Sequence, residues 1–169
     1  MLTPVASKSL RDIGGSFAII ASRYNARYVD AMLRAARAEL KRGGTKRIRI
    51  IRVPGAYEIP IVAARLAREA HAKAGTHRVS HGAQHVSAII CLGVILRGQT
   101  VHAAHIGDAV SRALMDIQLR YEVPIIHEVL LLENEEQARA RCLDRKHNRG
   151  AEAAQTALAM ARVMRRLPL

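Results

Sequence analysis

The polar residues most suited to chemistry lie at positions 93–102, directly after an apolar run at positions 86–92. That run has the length of a buried strand, and the residues after it have the spacing of a long amphipathic helix. Gly93 and Gly98 would let the backbone turn tightly and approach a ligand closely. The start of the helix would attract an anion through its free N–H groups and dipole, and His102 could exchange a proton there. The stretch therefore predicts a site for a phosphate group and a proton transfer.

The rest of the chain alternates strands with helices. Four apolar runs have strand character, at positions 16–22, 46–53, 86–92 and within 122–132, and longer helical patterns separate them. This alternation predicts an α/β domain with a mainly parallel sheet. We expect an irregular arm at 1–15 and one domain at 16–169. Asn25 and Asn134 are candidate helix caps, the Gly43–Gly44 pair should end the first helix, and residues 141–150 should form a basic turn.

Polar motifs follow the strands of this predicted sheet. Parallel sheets bind ligands outside the carboxyl ends of their strands, and we expect residues 24–25, 55–58, 93–102 and His127 to lie at or near those ends. Tyr24 and Tyr57, two of only five aromatic residues, are placed there. Either ring could stack on a flat ligand, or both could be loop anchors with exposed hydroxyls. No glycine-rich dinucleotide fingerprint follows the first strand, and there is no P-loop.

Length, cysteine content and net charge limit the classes to which this protein can belong. The 169 residues fit one domain, and Cys91 and Cys142 give no disulfide framework, which suits a reducing cytoplasm. No signal peptide or membrane-spanning run is recognised. The formal charge of +13 fits attraction to phosphorylated molecules or nucleic acid, or a solvated cationic surface. We favour the solvated surface, because no nucleic-acid motif accompanies the charge.

Four histidines at positions 71–85 could suggest a metal, but two glycines and the lack of further ligands favour an exposed loop.

Five segments together resemble the lumazine synthase family, in that family's order from residue 16 to the end. The V-P-G-A-Y-E-I-P stretch at 53–60 and the R-G-Q-T-V-H stretch at 97–102 are specific in combination, and further matches lie at 21–25, 135–141 and 148–154. The resemblance implies a flavodoxin-like three-layer α/β/α sandwich around a four-stranded parallel sheet. It also implies condensation of a ribitylamino-pyrimidinedione with 3,4-dihydroxy-2-butanone 4-phosphate in riboflavin biosynthesis. The family uses no metal or organic cofactor.

The resemblance also assigns roles to residues. Stacking on the pyrimidine ring would fall to Tyr24, and His102 would be the acid/base. His127 would form a pocket wall shared between neighbouring subunits. The ribityl chain would be held by Ala56, Tyr57 and Glu58. The ring pocket would be lined, through backbone groups, by Val94, Ile95 and Leu96. The phosphate would be bound by Gln99, Thr100 and Arg141.

The chain departs from the family pattern at several of these positions. The family usually has Phe or Trp at Tyr24, an aromatic and an acid in place of Ala103–Ala104, Phe-Gly in place of His127–Glu128, and Lys at Arg149. Two alternatives stay open: an archaeal-type riboflavin synthase on the same fold, and a non-catalytic flavin- or RNA-binding module. The resemblance further implies a homo-oligomer built on pentamers, which in some relatives assemble into a shell of sixty subunits.

Overall fold

The computed structural model describes residues 15–74 and 86–167, which form a four-stranded sheet covered by helices. The predicted arm, except for Gly15, and most of the histidine-rich segment lie outside the described residues. In chain order the elements are β1 Ser16–Ser22, α1 Ala26–Arg42, β2 Arg47–Val53, α2 Ile59–Ala74, β3 Val86–Leu96, α3 His102–Tyr121, β4 Ile125–Leu132, α4 Glu135–Ala138, a π-helical turn Arg139–Leu143, and α5 Arg149–Met164. The strand order is β2-β1-β3-β4, and every pairing is parallel.

The sheet is buried on both faces because its central strands are apolar along their whole length. Within β1, Phe17, Ile19 and Ala21 face α1 and α5, whereas Ala18 and Ile20 face the layer formed by α2 and α3. Apolar runs without alternation are what a parallel sheet between two helical layers requires. The predicted α/β class and the three-layer α/β/α sandwich, consistent with a flavodoxin-like fold, are confirmed.

Two of the three predicted helix boundaries are confirmed. The α1 helix ends at Arg42, and Gly44 follows with a φ of 79°, which favours glycine. The Asn134 side chain caps α4 by accepting a hydrogen bond from the Gln137 N–H at 2.9 Å. The predicted side-chain cap at Asn25 is wrong. Asn25 is in the left-handed conformation, and its side chain donates to the Val94 carbonyl at 2.8 Å instead.

The predicted turn at Gly93 is also wrong, and the basic turn predicted at 141–150 is confirmed only for residues 144–148. Strand β3 continues through Gly93 to Leu96, because Gly93 is needed for space rather than for a turn: a Cβ there would lie 3.1 Å from the Val129 side chain and 3.4 Å from that of Ile59. The segment predicted as a basic turn at 141–150 contains the end of the π-helical turn, and its last two residues already belong to α5.

Candidate active site

The ends of β1 and β2 are joined so that an aromatic ring and a carboxylate meet over a glycine. The Tyr24 N–H donates to the Pro54 carbonyl at 3.1 Å, which holds the residue after β1 against the loop after β2. The Gly55 N–H donates to Glu58 Oε2 at 2.8 Å. A Cβ at Gly55 would lie 2.9 Å from both Glu58 Oε2 and Tyr24 Cδ2, so a larger residue here would displace one of these side chains. The Tyr24 ring is 70% exposed, which leaves a face available for a flat ligand.

The two residues between Gly55 and Glu58 complete this loop. Ala56 is buried against the helices on its side of the sheet, whereas the Tyr57 side chain is 63% exposed. The loop therefore places the partly buried Glu58 carboxylate near Tyr24, at the carboxyl ends of two adjacent strands, and leaves Tyr57 exposed.

Strand β3 brings a third element to this edge. The Asn25 side chain, next to Tyr24, is bonded to the Val94 carbonyl, so the end of β1 is tied to β3 as well as to the loop after β2. Val94 is buried, and Ile95 and Leu96 are partly buried. The predicted ring-binding backbone thus lies beside the predicted ring-stacking side chain.

The start of α3 has the features of an anion site. His102 is the first residue of the helix, as predicted, and it is exposed together with Gln99 and Thr100. Val101 occupies the capping position, where no side chain makes a capping hydrogen bond, and the first turn has no acidic residue. The positive end of the helix dipole is therefore not neutralised locally, which favours a bound anion.

His127 does not join this group within one chain, and its predicted position at a carboxyl strand end is wrong. It lies near the amino end of β4, opposite Cys91. Its Nε2 is 2.9 Å from the Ser111 Oγ, and that hydroxyl donates to the Gly107 carbonyl at 2.7 Å. Since the hydroxyl has one proton, His127 must be the donor in their bond. Ser111 lies about 14 Å along α3 from His102, at the helical rise per residue. Partial burial lowers the pKa of His127.

Arg141 lies on the opposite face of β4. It is exposed in the π-helical turn, whose other residues pack against α1, α4 and α5, with the neighbouring Cys142 fully buried. The described contacts join Tyr24 and Asn25 to the loop after β2 and to Val94, and residues 99–102 follow β3 in the chain. Among the described contacts, none joins Arg141 or His127 to that group.

The ion pair between Glu128 and Arg149 was not predicted from the sequence. Glu128, only 6% exposed, faces α5, where Arg149 binds it with two hydrogen bonds: Nε to Oε2 at 3.1 Å and Nη2 to Oε1 at 2.9 Å. The third guanidinium nitrogen of Arg149 contacts Glu152 at 2.6 Å. Burial raises the pKa of Glu128 to about 7, although Arg149 opposes the shift. The signal in the sequence was an acid within an apolar strand, because a buried charge needs a partner.

The described residues offer no assembled metal site. Within 15–74 and 86–167, no three His, Cys, Asp or Glu side chains are grouped as ligands for an ion. His71, the one described histidine of the 71–85 segment, has its Nδ1 3.1 Å from the Tyr121 carbonyl. In the same part of the chain, no helix is long and apolar enough to cross a membrane.

Comparison with known proteins agrees with the geometry. Residues 14–165 match the sequence profile of the family described as 6,7-dimethyl-8-ribityllumazine synthase. A protein of that name from Xanthomonas campestris pv. campestris (strain B100) is 40% identical over 161 residues, covering 94% of this chain and 96% of its own. Another from Stenotrophomonas maltophilia (strain R551-3) is 42% identical over 154 residues, covering 90% of each chain. The chain therefore belongs to the 6,7-dimethyl-8-ribityllumazine synthase family.

Proposed function

We propose that this chain condenses 5-amino-6-(D-ribitylamino)uracil with 3,4-dihydroxy-2-butanone 4-phosphate to form 6,7-dimethyl-8-ribityllumazine. Family membership supports the reaction. The observation that carries it is the meeting of Tyr24, Gly55 and Glu58 at the ends of β1 and β2, in a chain whose helix α3 begins after β3 with an uncapped turn and His102. A flat polar ring and a phosphorylated small molecule would find complementary surfaces side by side at this edge.

The pyrimidine substrate would occupy the half formed by β1, β2 and β3. Its ring would stack on Tyr24, and backbone groups of Val94, Ile95 and Leu96 would contact its edge. The Glu58 carboxylate uses Oε2 to accept from the Gly55 N–H. Its other oxygen remains to accept from hydroxyls of the ribityl chain, which would run along Ala56 and Tyr57.

The butanone phosphate would occupy the half next to α3. Gln99, Thr100 and the uncapped helix start would bind the phosphate together with Arg141, whose fork suits that anion. His102 would exchange protons during imine formation and phosphate loss, since an imidazole can both accept and donate a proton. The reaction would need no metal or organic cofactor, and we place it in the cytoplasm.

Arg141 and His127 would complete the site of a neighbouring copy. Both belong to the outer part of the sheet around edge strand β4, whereas Tyr24, Glu58 and His102 belong to the carboxyl ends of β1, β2 and β3. We therefore propose a homo-oligomer built on pentamers, in which a repeated head-to-tail contact closes into a ring. Light scattering would show whether the pentamers assemble further into a shell of sixty subunits. An active monomer or dimer at low micromolar concentration would contradict the shared site.

Complementation tests the shared site directly. His102→Ala and Arg141→Ala chains would be co-expressed with different tags, and mixed oligomers would be purified through both tags. If each site takes one residue from each neighbour, about a quarter of the sites in a random mixture have both intact side chains, so activity should return to about that level. If both residues come from one chain, every site lacks one of them, and the mixture should be as inactive as its parents.

The proposed reaction is tested by phosphate release with both purified substrates, followed together with the absorbance of the lumazine. An archaeal-type riboflavin synthase would instead turn over lumazine alone. A non-catalytic flavin- or RNA-binding module would bind its ligand without turnover. Phosphate release that needs both substrates, with one lumazine formed per phosphate, would separate the proposed reaction from both.

A further inference from the structure

The buried ion pair of Glu128 and Arg149 lies at the base of the segment that carries Arg141. Glu128 projects from edge strand β4 towards α5, and Arg149 is the first residue of α5. Its two hydrogen bonds to the carboxylate connect the strand with the end of the segment. The Glu128 carboxylate is shielded from solvent, whereas the Arg149 side chain is 29% exposed.

Hydrogen bonds of Asn148 anchor the segment between the π-helical turn and α5 at both ends. The Asn148 side chain donates to the Cys142 carbonyl, and its Oδ1 accepts from the Gly150 N–H at 2.9 Å, so both ends of the segment are fixed. Cys142 is fully buried, and Arg141 precedes it in the chain. Burial is the main cause of the raised pKa of Glu128; Arg149 opposes it most among the neighbouring charges, and Arg141 opposes it least.

We propose that Glu128 sets the affinity of the Arg141 subsite for phosphate, by neutralising part of the positive charge of Arg141 and Arg149 when it is ionised. When Glu128 is protonated, it would no longer offset the positive charges of the Arg141 and Arg149 guanidinium groups. The subsite would then bind a phosphate monoester or inorganic phosphate more tightly. Charges interact more strongly away from water, which is why a shielded carboxylate can exert this effect without touching the anion. The inference rests on the proposed function, in which Arg141 binds the phosphate.

The titratable and charged groups near Glu128 come from α5, from the π-helical turn, and from the segment between them, which carries Asp144, Lys146 and His147. Arg149 and Glu152 approach from α5, and Arg141 and Cys142 from the π-helical turn. Burial raises the pKa of the Cys142 thiol to about 11, so it remains protonated, and the residue opposite on β3 is the apolar Leu92. The neighbouring His127 bonds to Ser111 on the other face of the sheet. Because burial raises the pKa of Glu128 to about 7, its charge changes across the neutral range.

The test compares the intact oligomer with its Glu128→Gln variant between about pH 5.5 and about pH 8.5, around the pKa of the group. KM is measured for each substrate, and inhibition by inorganic phosphate is measured alongside. At each pH, the wild-type KM for butanone phosphate is divided by the variant KM. Ionisation of the substrate changes both KM values by the same factor, so it does not affect this ratio. The ratio should be near one at the acid end and should rise about three- to tenfold at the alkaline end. KM for the pyrimidine should not change.

A matched control is Glu39→Gln. It removes the same charge from another Arg–Glu pair, which lies in the last turn of α1 and not in the segment around Arg141. A ratio that stays flat with pH, an equal change in both KM values, or the same ratio in the control would overturn the proposal. Each of those results would mean that Glu128 acts on general structure or net charge rather than on the phosphate subsite.

Arg141→Ala separates this inference from the proposed function. If Arg141→Ala leaves KM for butanone phosphate unchanged, the phosphate role of Arg141 is wrong, and the inference falls with it. If Arg141→Ala raises that KM but the Glu128→Gln ratio is flat, the inference alone fails. In the Arg141→Ala background, adding Glu128→Gln should change the phosphate KM clearly less than in the wild type.

Discussion

Replacing Glu128 by glutamine should stabilise the folded protein, and more so as the pH rises. Burial raises the pKa of this carboxyl from 4.5 to about 7. Each tenfold change in an ionisation equilibrium corresponds to about 1.4 kcal/mol, so ionising Glu128 costs up to about 3 kcal/mol more in the folded chain than in the unfolded chain. Below about pH 4.5 both states hold the proton and the cost is absent. Between about 4.5 and about 7 the folded state binds more protons, so wild-type stability from this group falls as the pH rises.

Urea unfolding at one fixed protomer concentration measures this effect, because oligomer stability depends on concentration. The free energy of unfolding of Glu128→Gln minus that of the wild type should increase by up to about 3 kcal/mol from pH 4 to pH 8. The control is Glu133→Gln, which removes an acid from an ion pair with Arg97 that is about half exposed on both sides. That pair should contribute less than about 1 kcal/mol at any pH. A difference for Glu128→Gln that does not change with pH would refute the burial argument.

Three further predictions concern catalysis, phosphate binding and packing. His102→Ala should slow condensation by about ten- to a thousandfold with little change in substrate binding, and wild-type turnover would remove His102 from the mechanism. Arg141→Ala should raise KM for butanone phosphate far more than KM for the pyrimidine, and an equal rise in both would indicate a structural role. Gly150→Ala should destabilise the fold by about 3 kcal/mol or more in thermal unfolding, because its Cβ would lie 2.0 Å from the Met32 carbonyl oxygen. Gly107→Ala, where the nearest contact is 3.7 Å, should instead stabilise α3 by about 0.5–1 kcal/mol, and a similar loss in both variants would contradict the packing argument.

Hydrophobic periodicity was sufficient to find all four strands and the long helices. In β1 and β3 the apolar residues are continuous, and in α1 they recur at helical spacing, so each pattern has one structural solution. The strand order could not be read in this way, because it depends on contacts between residues that are distant in the chain. The π-helical turn at Arg139–Leu143 was missed for a related reason: its residues are ordinary for a helix, and its geometry comes from packing Cys142 against α1 and α5.

Residue type alone gave a wrong prediction of local structure where that type commonly has two structural roles. Glycine suggested a turn at Gly93, but the close approach of Val129 requires glycine within a strand. Asparagine suggested a helix cap at Asn25, but its side chain serves the site by tying β1 to β3. In both cases the deciding neighbour lies more than thirty residues away in sequence, so no local pattern could have indicated it.

Edge strand β4 carries polar side chains on both faces, His127 on one and Glu128 on the other. His127 is held by Ser111 of α3, and Glu128 by Arg149 of α5, so each polar group is oriented by its own chain. A side chain oriented in this way needs no rearrangement when a second copy approaches, which lowers the entropy lost on association. Residues at the carboxyl ends of β1, β2 and β3 are likewise fixed by bonds within the chain. In the proposed assembly, a closed ring of identical subunits would complete each site from residues of two neighbouring chains.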